Sequence, residues 1–144
     1  MDAGLNPEDR ELQALLGDAR TIAVVGLSSK PNRPSFQVAT YLQDHGYRIV
    51  PVNPGEADVL GEPAYASLLD IPADVRIDVV DVFRRAEYTP EVAHQAVAIG
   101  AKVLWLQEGI VSDEAYAVAS AGGLDVIMGV CIRVVRERLM GEAR

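Results

Sequence analysis

The residues best suited to chemistry stand in one run, Gly26-Leu27-Ser28-Ser29-Lys30-Pro31-Asn32-Arg33-Pro34. Gly26 permits a tight turn, the hydroxyls of Ser28 and Ser29 and the cations of Lys30 and Arg33 follow it, and a helical pattern begins directly after. Free N–H groups and the positive end of a helix dipole, with such side chains beside them, make an anion site. The competing reading is a solvated surface loop stiffened by Pro31 and Pro34. The place of the run, behind an apolar segment and before a helix, favours the anion site. The same run also excludes chemistry. The dinucleotide fingerprint G-x-G-x-x-G needs glycines where Ser28 and Pro31 stand, and the triphosphate loop G-x-x-x-x-G-K-[ST] is missing. A nicotinamide cofactor further expects an acid at Val52-Asn53-Pro54, where Asn53 takes its place.

Two further clusters follow. Val82-Phe83-Arg84-Arg85 offers an aromatic ring and two guanidinium forks, which suit a planar base or acyl chain and phosphate oxygens. Against that, Phe83 fits a core, and the arginines could pair with acids such as Glu87. We read Arg84 as a ligand group and Arg85 as a surface partner of acids. In Trp105-Leu106-Gln107-Glu108-Gly109-Ile110, Gly109 lets the backbone approach a flat ligand. Gln107 and Glu108 supply polar groups and Ile110 an apolar face, while Trp105 alternates with Leu104 and Leu106 and reads as core. Cys131 reads as a buried structural thiol; a thiol lining a crevice is the sharper alternative. His45 and His94 fall on helices away from these clusters, so no Ser-His-Asp or Cys-His arrangement assembles. Asp78 and Asp81 have opposite pleat parity and form no carboxylate pair. We expect no catalytic residues and no metal site.

These groups need elements to position them. Strand patterns occur at residues 21–26, 48–53, 77–83, 102–107 and 125–129, and helical patterns at 35–45, 89–99, 113–121 and 131–140. An opening helix is expected from Asn6 as cap and Pro7 as first residue, with Leu12, Leu15 and Leu16 on one face. Gly46 and Gly100 stand where helix C-caps need positive φ. The stretch 55–74 is weaker: Val59-Leu60 suggests a short extended piece and residues 65–69 one helical turn. Val- and Ile-rich strands alternating with helices predict right-handed βαβ crossovers and a sheet buried on both faces. The expected fold is α/β: a Rossmann-like, doubly wound, parallel five-stranded sheet in one domain, ordered 3-2-1-4-5, residues 1–18 adding a helix that packs on 19–144.

The chain has 144 residues, 49% of them hydrophobic and 24% charged, which is globular composition. With 21 acids against 13 bases its formal charge is −8, a poor match for nucleic acid or an anionic membrane. A single cysteine excludes an internal disulfide. No apolar run reaches the roughly 18–20 residues of a membrane span, and the acidic start lacks a signal-peptide pattern. A cytoplasmic location is expected.

In order and spacing, several of these pieces together resemble the small stand-alone CoA-binding domains, which are similar to the CoA-binding domain of the succinyl-CoA synthetase α subunit. The carriers are Ile22-Ala23-Val24-Val25-Gly26-Leu27-Ser28, His45-Gly46-Tyr47, Val50-Pro51-Val52-Asn53-Pro54, Leu60-Gly61, Asp81-Val82-Phe83-Arg84, Trp105-Leu106-Gln107-Glu108-Gly109-Ile110 and Cys131. The likeness runs from about Ala19 to about Val135. It implies that loop 26–33 holds CoA phosphates, that Asn53, Pro54, Phe83 and Arg84 line the middle of the site, and that Gln107, Glu108, Gly109 and Ile110 pack on the nucleotide end. The family usually carries an Asp and a basic residue before the cysteine, where Gly129 and Val130 stand. The synthetase's phosphorylated histidine belongs to a separate domain. The implied function is binding of CoA or an acyl-CoA without chemistry of its own, as a carrier, sensor or accessory subunit, with a protein partner or homo-oligomer left open. The alternatives are a nucleotide-dependent oxidoreductase or acyl-CoA ligase subunit with a variant phosphate loop, and a mixed disulfide between Cys131 and the CoA thiol.

Overall fold

The computed structural model describes residues 6–141; the ends of the two expected segments, residues 1–5 and 142–144, lie outside the described residues. Helix α1 (Asp9–Asp18) leads to strand β1 (Thr21–Val25), helix α2 (Pro34–Asp44) and strand β2 (Arg48–Val52). A small antiparallel pair, β3 (Asp58–Val59) and β4 (Glu62–Pro63), and a 3-10 turn (Leu68–Asp70) precede β5 (Val79–Val82). A second 3-10 turn (Ala86–Tyr88) opens α3 (Thr89–Ala98), and β6 (Val103–Glu108), α4 (Asp113–Ala121), β7 (Asp125–Gly129) and α5 (Ile132–Met140) complete the order.

The main sheet is parallel and five-stranded, ordered β2-β1-β5-β6-β7. Counted among themselves these strands run 2-1-3-4-5, which corrects the expected 3-2-1-4-5. The third main strand pairs on the far side of β1, with Ile22 opposite Val79 and Val25 opposite Val82. Two local causes are visible. Asp78, just before β5, accepts the N–H groups of Arg20 at 2.9 Å and Thr21 at 3.0 Å, pinning the start of β5 to the start of β1. The outer edge of β2 is already taken by Tyr65, whose N–H donates to the Pro51 carbonyl at 3.0 Å and whose carbonyl accepts from Asn53 N–H at 2.8 Å.

Strands β1 and β5 are buried along their whole length, as a sheet covered on both faces requires. Helices α1, α2 and α5 cover one face, setting Leu16, Val38, Leu42 and Ile132 against Ile22, Val24, Val79 and Trp105. Helices α3 and α4 cover the other, setting Val92, Ala96, Ala115 and Ala119 against Val25, Val80, Leu104 and Leu106. Trp105 is core, as expected, and its Nε1 donates to the Val130 carbonyl at 2.9 Å. Gly46 and Gly100 take positive φ behind α2 and α3.

Some local expectations change. Glu8, not Asn6, caps α1, through a reciprocal box with Glu11. Asn6 instead grips the edge strand β7: its Nδ2 donates to the Met128 carbonyl at 3.1 Å and its Oδ1 accepts from Met128 N–H at 2.9 Å. Only Val59 of the Val59-Leu60 pair is extended, because Leu60 turns the chain with φ +57°. Of the helical turn expected at 65–69, only the end is helical, as a 3-10 turn over Leu68–Asp70, while Tyr65 pairs with Val52.

Candidate functional site

Strand order reverses between β1 and β5, so the crevice where such sheets take ligands lies beyond the C-terminal ends of these two strands. The ends are locked together. Phe83 N–H donates to the Val25 carbonyl at 2.8 Å, and Gly26 N–H donates to the Val52 carbonyl at 2.7 Å. Gly26 has φ +88°, and a Cβ there would fall 2.5 Å from the Phe83 carbonyl oxygen and 3.3 Å from Arg84 Cδ. Glycine is thus required twice over, by conformation and by space. Its consequence is that loop 26–33 leaves the sheet directly against Phe83 and Arg84.

Within the loop, the backbone donors differ from the free set expected. Ser28 N–H donates to Ser35 Oγ at 3.1 Å, Lys30 N–H to Ser28 Oγ at 3.1 Å, and Ser29 N–H to Glu56 Oε2 at 2.8 Å. All three of these donors are taken by side-chain oxygens, two of serine hydroxyls and one of a carboxylate. Arg33 is the N-cap of α2; it makes no side-chain cap bond, and Pro34 sits in the first turn. Lys30 and Arg33 are exposed, and neither forms an ion pair among the described residues.

Asn53 stitches the second strand end to this loop. Its Nδ2 donates to the Leu27 carbonyl at 3.0 Å and its Oδ1 accepts from Gly55 N–H at 2.9 Å. Both amide groups are engaged, so Asn53 ties the end of β2 to the loop, with Pro54 exposed beside it. Phe83 is half-buried against the α2 and α5 face. Arg84 is half-buried, with its guanidinium 5.0 Å over the Tyr88 ring, a geometry that holds the fork beside Gly26. Arg85 is exposed and pairs with no acid among the described residues, contrary to expectation; its carbonyl accepts from Tyr88 N–H at 3.0 Å and starts the 3-10 turn.

The fourth strand end divides. Gln107 is buried, and its Oε1 accepts from Ile132 N–H at 3.1 Å, holding the start of α5. Glu108 and Gly109 are exposed, Gly109 turning with φ +80°, and Ile110 is half-buried against the α3 and α4 face. Cys131 is a half-buried free thiol at the N-cap of α5. His94 is exposed, and His45 closes α2 with Nδ1 2.7 Å from the Tyr41 carbonyl.

Three features escaped the sequence. Ser35 and Glu56 meet the loop through side chains, and nothing local to either residue signals it. Asp81, beside Val24 and Trp105 in the register, is fully buried with neither carboxylate oxygen hydrogen-bonded among the described residues. Burial pushes its carboxyl well above the ordinary 3.8.

Chemically, the glycine turn sets the Arg84 side chain beside Gly26, and the loop that leaves it toward α2 carries exposed Lys30 and Arg33, residue types that suit a phosphorylated ligand. A cavity of about 590 Å³ opens at the opposite end of the strands, where β5, β6 and β7 begin. There Glu11, Asp18, Asp78 and Asp125 surround Lys102, a charge balance that repels phosphates. Among the described residues no group of three or more His, Cys, Asp or Glu could hold a metal ion, and no helix is long and apolar enough to cross a membrane.

Comparison with known proteins points the same way. Residues 20–137 match the family described as CoA binding domain. The Bacillus subtilis protein YneT, called uncharacterised, is 45% identical over 129 residues, covering 90% of this chain and 94% of that one. The alpha subunit of ADP-forming acetate–CoA ligase I from Pyrococcus furiosus is 33% identical over 99 residues, which span 65% of this chain and 21% of the subunit. A hypothetical protein from Pyrococcus horikoshii superposes with a TM-score of 0.90 and 40% identity, covering 94% of each chain.

Proposed function

Given that the chain belongs to the CoA binding domain family, we propose that it binds coenzyme A or an acyl-CoA at the crevice between β1 and β5 and performs no chemistry on it. The protein serves as a carrier, a sensor or an accessory subunit of a CoA-using enzyme in the cytoplasm. The observation that carries this reading is the packing at Gly26: where the strand order reverses, the glycine turn lies against the Phe83 carbonyl and the Arg84 side chain, and the loop it opens is tied to the first turn of α2 through Ser28 and Ser35.

Loop 26–33 takes the phosphates through Ser28, Ser29, Lys30 and Arg33. Asn53 and Pro54, with Phe83 and Arg84, flank the middle of the ligand. Glu108, Gly109 and Ile110 border the nucleotide end, with Gln107 fixing α5 beneath them. The donor set fits the group: CoA carries a diphosphate and a 3′-phosphomonoester of roughly −1.5 to −2 charges, and the crevice cations have no acid partners among the described residues. The overall −8 charge opposes approach only weakly, because repulsion beyond about 8–10 Å is screened at physiological salt. The likeness to the ligase subunit spans 21% of that subunit and brings no ligase reaction with it.

Calorimetric titration with CoA and with NAD tests this. Saturable CoA binding in the micromolar range or tighter, without NAD binding, is expected. NAD binding without CoA binding would overturn it.

A further inference from the structure

Glu56 lies in the segment after β2, and its carboxylate is brought to loop 26–33 by a defined turn. Asn53 Oδ1 accepts from Gly55 N–H at 2.9 Å, the Asn53 carbonyl accepts from Glu56 N–H at 3.2 Å, and Asn53 Nδ2 anchors the turn to Leu27 at 3.0 Å. So placed, Glu56 Oε2 accepts from Ser29 N–H at 2.8 Å. Ser28 and Lys30 satisfy their N–H groups with neutral hydroxyls. Glu56 brings the one negative charge to these donors among the described residues, and it pairs with no cation there.

A carboxylate oxygen and a phosphate oxygen accept the same N–H at the same length and with the same sign of charge. They cannot share the Ser29 donor. We infer that Glu56 occupies the place of a ligand phosphate oxygen and that binding expels it, so that this carboxylate is a built-in competitor that sets affinity and admits only phosphorylated ligands. The inference rests on the reading that CoA phosphates bind loop 26–33. Expulsion breaks one hydrogen bond, since Glu56 is half-buried between exposed Gly55 and Ala57 and has no other side-chain partner among the described residues. A ligand without phosphate has nothing to displace it with.

The test compares wild type, Glu56→Ala and Glu56→Gln by calorimetry with CoA and with pantetheine, following the Ser29 amide by ¹⁵N NMR and checking the fold by thermal melting. Removing the competitor tightens CoA binding about tenfold in Glu56→Ala, less in Glu56→Gln, which keeps an acceptor without the charge. The Ser29 amide shifts differ between the free proteins and converge in the two CoA complexes. Wild type that binds CoA as tightly as Glu56→Ala, or more tightly, overturns the inference. An equal gain for pantetheine also overturns it, because that shows a loosened loop. Failure of all three folded proteins to bind CoA removes the underlying reading and this inference with it.

Discussion

Asp81 offers a prediction whose magnitude follows from its surroundings. It sits mid-strand in β5 between Val24 and Trp105, with no exposed surface and no hydrogen-bond partner for either oxygen among the described residues. Burial raises its carboxyl well above 3.8, so the folded protein keeps a proton that the unfolded chain releases near that value. The folded state then binds more protons than the unfolded state. Stability from this group is fully present below pH 3.8 and declines as pH rises, until the folded carboxyl itself ionises. The slope approaches about 1.4 kcal/mol per pH unit wherever the folded carboxyl is protonated and the unfolded one is ionised. Asp81→Asn keeps the shape and removes the titration. Urea unfolding of both proteins at a series of pH values gives the difference, in which other groups cancel, including exposed Asp9, which its hydrogen bond to Arg138 holds low. The wild type should lose ground against Asp81→Asn as pH rises. Parallel pH profiles would refute the claim that Asp81 is buried and unpartnered.

Other outcomes follow from the same geometry. Gly26→Ala should lose about 2–4 kcal/mol in a denaturation experiment, from positive φ plus the clash with the Phe83 carbonyl. Lys30→Ala and Arg84→Ala should each weaken CoA binding about tenfold by calorimetry, with Lys30→Ala leaving the melting temperature unchanged because Lys30 is exposed. Raising salt should weaken CoA binding in wild type and do so less in Lys30→Ala, as screening acts on a contact the variant lacks.

How much of this was legible in the sequence depends on range. The helix over 113–121 follows from neighbours in the chain, and α4 spans those residues, the Ser112 side chain before it accepting from Ala115 N–H. The Val- and Ile-rich runs of β1 and β5 foretold a sheet covered on both faces. The position of β5 beside β1 was not legible, since it depends on Asp78 reaching Arg20 and Thr21 and on Tyr65 closing the edge of β2. Local pattern names a strand without naming its partner. The site divides the same way. Gly26, Lys30, Arg33 and Arg84 could be picked out from residue type and strand end; the structure sets Gly26 against the Arg84 side chain and leaves Lys30 and Arg33 exposed in the loop that follows. Gln107 looked like a ligand group by its place at a strand end, but its amide is turned to Ile132. Glu56 stood outside every motif because its contact with Ser29 spans 27 residues of chain.

The most direct measurement is a ¹⁵N–¹H NMR titration of the protein with CoA. Binding where β1 and β5 end should shift the amides of Gly26, Ser28, Ser29, Lys30, Arg33, Arg84 and Gly109 together and with one affinity. Shifts confined to the opposite end of the strands, around Asp78, Lys102 and Asp125, or no shifts at saturating CoA, would contradict it.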